Sequence, residues 1–207
     1  MASTTQQMHP PLKLTVGAQY ICFNTMSEDG TWTEAFGDTI YKLPTVVDVE
    51  FKDNTDSYDA YASGDVYESD TAISSVDISE TNIAFPDSLL AKMRGDTVDG
   101  GVVLSGGRGT RPYFAYGCPI IKKDGTLDMR WYPKCKLTEN SDKTSTSEES
   151  YKDQTDTVTI RAYGFNDNDD KAVRVLTSET DTSAITQDKF FGAVLTTSAA
   201  AKALATA

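Results

Sequence analysis

The clearest pattern along the chain is an alternation of apolar and polar residues. In TVVDVEF (45–51), Val47, Val49 and Phe51 fall on one face and Asp48 and Glu50 on the other, the period of two expected of a half-buried strand. Further on, Ser74, Val76, Ile78 and Glu80 share one face while Ile73, Ser75, Asp77 and Ser79 share the other. TVTIRAYGF (157–165) alternates in the same way, and LTVGAQYICFN (14–24) has strand composition. Between the first two strands, KDNTDSYDAY begins like a turn. Asp29-Gly30 marks another tight turn. A helical period occurs in PDSLLAKMRG (86–95), where Leu89, Leu90 and Met93 form a stripe. Pro86 stands near its start, Asp87 or Ser88 can cap it, and Gly95 ends it.

GCPIIKKDGTLDMRWYPKCKL (117–137) reads as a hairpin turning at Asp124-Gly125, with arms 111–122 and 127–137. Its exposed face is rich in lysine and arginine. Pro119 and Pro133 lack an N–H, which pushes those positions toward sheet edges or bulges. Residues 140–157 are Ser, Thr and charge without an apolar period, the pattern of a long loop or arm. Near the end, Phe190, Phe191, Val194 and Leu195 cluster on one side of a short helix. The reading is therefore a single mainly β domain over 14–197, with one short flanking helix, a polar arm at 140–157 and a short C-terminal helix. A disordered leader (1–13) precedes it and a mobile tail (198–207) follows.

Composition agrees: 207 residues suit one domain, and 39% hydrophobic with 24% charged is ordinary for a soluble protein. Ten Tyr and eight Phe favour strands. No run reaches the length of a membrane span, and MASTTQQMHPPLKL lacks the features of a signal peptide. The three cysteines, Cys22, Cys118 and Cys135, are far apart and read as free buried thiols, although Cys118 and Cys135 could face each other across the hairpin. The net charge of −12 is uneven: residues 45–99 carry −10 and residues 100–137 carry +5. An acidic whole argues against a dedicated duplex-DNA binder, which needs a basic footprint.

Catalytic signatures fail one by one. In GGVVLSGGRGT, Gly107 stands where a phosphate-binding loop needs Lys, so a flexible connection is the better reading. Around NDNDDK, a calcium-loop frame from Asp167 puts Ala172 at the glycine position, and one from Asn168 puts Val173 there. The one histidine, His9, lies in the polar leader, which argues strongly against the usual nucleophile–histidine systems, and no metal or other cofactor is implied. Asp48 with Glu50 could do acid–base work, and Arg111, Tyr113, Tyr116, Arg130 and Tyr132 could stack single-stranded nucleic acid. A wet strand face and sheet packing account for the same residues. A non-enzyme is expected. Two rivals are a carbohydrate-binding β-sandwich and a carboxylate hydrolase that Asp48→Asn would abolish.

The order of segments resembles a known family. YKLPTVVDVEF, YASGDVYESDTAISSVDISE, the helix FPDSLLAKMRGDTVDGGVV, and RPYFAYGC…YPKCKL running through the Ser/Thr/Glu arm into TVTIRAY look like the major tail protein of long-tailed phages with flexible, non-contractile tails. The likeness covers about 14–197. It implies a β-sandwich or partly closed β-barrel with a flanking helix, and six copies in a ring. Stacked rings would form a tube through which phage DNA passes without specific binding. The implied partners are further copies of the chain, a tape-measure protein and terminator or baseplate proteins, with no membrane. The implied location is the virion tail, after assembly in the host cytoplasm. On this reading Asp48, Glu50 and Asp77 are candidates to face the lumen. Arg111, Lys122, Lys123, Arg130, Lys134 and Lys136 are candidates to meet an acidic neighbouring subunit, and the polar arm orders on a partner.

Overall fold

A computed structural model describes residues 9–206 apart from 26, 28, 29, 63, 64, 108 and 143–154. In chain order the elements are β1 (Lys13–Val16), β2 (Gln19–Asn24), β3 (Phe36–Leu43), β4 (Val46–Ala62), β5 (Asp65–Asn82), α1 (Asp87–Arg94), β6 (Thr97–Asp99) and β7 (Val102–Leu104). They continue with β8 (Phe114–Lys122), β9 (Leu127–Ser141), β10 (Asp156–Ala162), β11 (Val173–Leu176), α2 (Gln187–Phe190) and α3 (Ser198–Ala203). Among the described residues the fold is mostly β, with 51% in strands and 12% helical.

Nine strands form one antiparallel sheet in the order β3-β2-β8-β9-β10-β5-β4, with β1 paired to β8 and β11 to β9. The sheet curls until β1 lies against β4, yet it does not close into a barrel. A cleft lined by Val16, Glu50, Phe51 and Arg130 remains between the two. β6 and β7 form a separate small hairpin.

Curling gives the sheet an inner face, and alternation along each strand fills it. Ile21, Val76, Ile78, Phe114, Tyr116 and Ile160 meet there, closed over by Leu89 and Met93 of α1. As expected, Val76, Ile78 and Glu80 share that face, and even the glutamate is buried. α1 matches its sequence reading in extent and at its C-terminal end. Gly95 takes the left-handed conformation (φ 74°) and returns its N–H to the last turn. The cap is different: Pro86 occupies the N-cap position, and neither Asp87 nor Ser88 supplies a side-chain cap.

The outer face is split. Over β2, β8 and β9 it is apolar and is covered by the C-terminal segment, with Tyr20, Met129 and Trp131 packed on Phe190, Phe191 and Leu195. Tyr20 and Phe191 stack at 4.1 Å, and the Trp131 indole N–H donates to the Phe190 carbonyl at 3.1 Å. Gly117 permits this, since a Cβ there would lie 2.8 Å from Trp131 and 2.9 Å from Phe191. The β8–β9 hairpin is therefore covered on both sides over most of its length, and it does not present the exposed basic face read from sequence. Residues 198–203, expected in a mobile tail, form α3, because Thr197 caps the helix and Ala201 is buried on the same outer cluster.

The prolines sit where the ladder is interrupted. Pro119 lies where β2 hands its place beside β8 to β1, and its carbonyl accepts from the Gly17 N–H at 2.9 Å. Pro133 falls in a bulge, since Phe114 and Tyr116 pair with Cys135 and Tyr132, leaving one extra residue on β9. Cys118 pairs with Arg130 and Cys135 with Phe114, so these two cysteines are not cross-strand partners; all three thiols are free and buried. Of the 140–157 arm, β9 runs to Ser141 and β10 starts at Asp156, while 143–154 lie outside the described residues.

Candidate assembly interface

Where the C-terminal segment stops, the outer face is polar. Asp48 and Glu50 pair with Thr81 and Ser79, and Lys52 with Asp77, which puts all three acidic candidates on this one face. Asp48 and Glu50 are exposed. Asp77 accepts from Arg161 at 2.6 and 3.1 Å and from Asn54 at 2.9 Å. The Arg161 hydrogen bonds, foremost, hold its carboxyl below the usual carboxylate range. Asp77 is thus partly neutralised by its own chain, whereas Asp48 and Glu50 face outward. Val47 is not in line with Val49 and Phe51: a register shift between Val46 and Asp48 leaves it exposed.

The six basic candidates occupy separate places. Lys122 ends β8 and Lys123 opens the hairpin turn, which Asp124 locks by accepting from the Thr126 N–H and hydroxyl. Arg111 reaches the Leu137 and Thr138 carbonyls at 2.7 and 2.9 Å, clamping the loop before β8 to β9. Arg130 is on the inner side with Tyr132, stacked over Phe51 at 4.7 Å and paired with Asp128 at 2.8 Å. Asp128 is also gripped by Arg174 at 2.6 Å. Burial pushes the Asp128 carboxyl up, but the hydrogen bonds and charges of the two guanidinium groups outweigh it and hold the group below its usual range. The bulge at Pro133 turns Lys134 and Lys136 to the outer side. Lys136 lies 4.0 Å from the Tyr113 ring, and Lys134 lies over Trp32 and Tyr113.

The feature that the sequence reading missed is larger than any of these. β10 pairs with β5 only between Val76 and Asn82, whereas β4 and β5 continue to pair with each other out to Ala62 and Asp65. The stretch from Lys52, read as beginning turn-like, continues β4 as strand to Ala62. From about Asn54 outward the hairpin is a two-stranded ribbon, and at about 3.3 Å per residue it projects roughly 25 Å. Between 52 and 73 it carries six acidic residues and one basic. Tyr58, Tyr61 and Tyr67 are 69%, 70% and 80% exposed. Ser63-Gly64 between tyrosine-bearing runs was the available signal, a turn dipeptide flanked by β-formers. The Asp and Asn residues around it masked the strand.

No protein-family model matches the chain, and no curated protein does. Among solved structures the chain is similar to one from the extended-state sheath–tube complex of an extracellular contractile injection system, PVC, determined by cryo-EM. The two are 12% identical, over 76% of this chain and 88% of that one, with a TM-score of 0.43.

Proposed function

We propose that this chain is a structural subunit of a phage tail: copies join into rings, six to a ring as the resemblance implies, and the rings stack into a tube that conducts DNA. The observation that carries this reading is the β4–β5 ribbon. A two-stranded hairpin is marginal in water on its own, and here both faces expose large tyrosines beyond the last strand that could cover them. Such a ribbon suits a segment that becomes buried on another molecule. Its acidic character suits a neighbouring copy, since cations of this chain lie exposed or half-buried at Lys123, Lys134 and Lys136. An extension that meets a different surface of the next copy makes a heterologous contact, the kind that closes rings or propagates tubes.

Asp48 and Glu50 are the groups for the bore. Like charge on a wall repels phosphates over about a Debye length, roughly 8 Å at physiological salt. The test is electron microscopy with light scattering across a concentration series, on the wild type and on a variant with 55–73 replaced by a short turn. Rings or tubes from the wild type and a folded, unassembled variant are expected. A wild type that stays monomeric throughout, or a variant that assembles normally, overturns the reading. Tails carrying lysine at positions 48, 50 and 77 should assemble and eject DNA slowly.

A further inference from the structure

A ring of three polar side chains sits inside the apolar core. Gln19, Glu80 and Asn82 are 0%, 1% and 0% exposed, and Tyr116, also fully buried, donates its hydroxyl to Glu80 Oε2 at 2.8 Å. Around the ring there are three contacts. One end of the Gln19 amide lies 2.8 Å from Asn82 Oδ1, and its other end lies 2.9 Å from both oxygens of Glu80. The far end of the Asn82 amide lies 3.2 Å from Glu80 Oε1.

The hydrogens can be counted. Each amide has one donating and one accepting end, and an ionised carboxylate only accepts. Three contacts need three donors, and the two amides supply two. If Gln19 donates to Asn82 and Asn82 to Glu80, the Gln19 oxygen faces the carboxylate. Turning both amides puts the Asn82 oxygen against it instead. Turning Gln19 alone sets the two amide oxygens against each other at 2.8 Å. The Thr45 hydroxyl, 3.1 Å from Asn82 Oδ1, can donate or accept and does not break the tie. In a fully buried site the third donor must come from Glu80 itself.

We propose that Glu80 carries a proton in the folded protein, and that the ring it closes with Gln19 and Asn82 is a proton-held clasp joining β2 to β5 at the root of the ribbon-bearing hairpin. Neutral Glu80 offers one donor and one acceptor, and every contact is then made. Burial, the largest influence, pushes its carboxyl up to about 7 against the hydrogen bonds from Tyr116, Asn82 and Gln19. The titratable groups facing it are Tyr116 and Cys118 of β8. Burial raises the Tyr116 hydroxyl well above its usual value and pushes the Cys118 thiol up to about 12, so both stay neutral across this range. Gln19 from β2 and Asn82 from β5 are uncharged, and among the described residues no cation acts on Glu80. Arg130 and Asp128 of β9 act on Cys118 instead.

The sign follows. A carboxyl raised from 4.5 to about 7 binds a proton in the folded state that the unfolded chain has lost. The stabilisation is complete below 4.5 and is lost as pH rises toward 7. The folding constant falls by up to about tenfold per pH unit, roughly 300-fold across the window.

Two measurements test this. The carboxyl carbon of Glu80, followed by NMR in the wild type, should titrate near pH 7. Urea unfolding from pH 4.5 to 8.5 should show the decline in the wild type. Glu80→Gln, whose amide supplies one donor and one acceptor at all pH, should lose that part of the slope and be the more stable protein at pH 8. A Glu80 midpoint below 5, or a Gln variant less stable than wild type at pH 8 with the slope unchanged, overturns the proposal. If the Gln variant does not fold, the wild-type titration decides alone.

Discussion

The two long hairpins of this protein follow the same local grammar and end in opposite environments. β8–β9 turns at Asp124-Gly125, lies at the centre of the sheet and is covered by one apolar cluster inside and another outside. β4–β5 is longer, occupies an edge, and from Thr55 to Ser74 every side chain whose burial is described is exposed. The difference comes from what the rest of the chain brings to each. β8–β9 has β2 and β10 as neighbours, α1 on one face, and a C-terminal segment folded back on the other. β4–β5 has β10 along one strand for seven residues and β1 against the base of the other, and farther out only itself. A hairpin held by its own backbone pairing alone contributes little to folding, so its length and its tyrosines point to association.

That contrast can be broken in order of expected effect. Trp131→Ala should cost about 3–5 kcal/mol in urea unfolding, because it empties the buried contact between β9 and the C-terminal segment and removes the bond to the Phe190 carbonyl. Asp128→Asn should cost about 3 kcal/mol by leaving Arg130 and Arg174 uncompensated beside a buried site. Because the Asp128 carboxyl is held below its usual value, the stability it contributes is present above about pH 4 and is lost as pH falls through its folded value. An acid titration of the wild type against Asp128→Asn should show that part of the loss only in the wild type.

Replacing Tyr58, Tyr61 and Tyr67 together by serine should shift the unfolding midpoint little, each exposed substitution staying within about 0.5 kcal/mol. The same variant should fail to form rings or tubes by sedimentation, which would separate the roles of the two hairpins. A large loss of stability would show the ribbon to be part of the fold proper. Smallest of all, Asp77→Asn should cost less than about 1 kcal/mol, since its pair with Arg161 is partly exposed, and added salt should shrink even that.

What could be read from the sequence was what local chemistry decides. Gly95 after an apolar stripe ends α1, Asp124-Gly125 makes the turn, and the alternation through Val76, Ile78 and Glu80 assigns their face correctly. Alternation cannot say whether a face is covered. It gave Glu80 the right side without showing that Gln19 and Asn82 close over it. It also read Lys134 and Arg130 as one basic face, because a bulge one residue long changes sides without altering composition. Residues 52–62 and 198–203 were misread for a related reason. Their structure depends on partners outside the stretch itself, the opposite arm β5 for the first and the Trp131 cluster for the second, which outweigh the weak strand and core signals of Asp, Asn and Ala. The placement of Asp48, Glu50 and Asp77 on one face followed from pairing register, which a period of two nearly supplies.

The hand-over at Pro119 divides one side of β8 between two short strands, and the two should differ in how long they stay. β2 is buried throughout and holds both clusters, while β1 is mostly exposed and is fastened by three register pairs and the Gly17 contact. In deuterated water the β1 amides should therefore exchange by local opening, far faster than the global unfolding that the amides of Ile21 and Tyr116 must await. β1 is a latch with a much shorter lifetime than the sheet it completes.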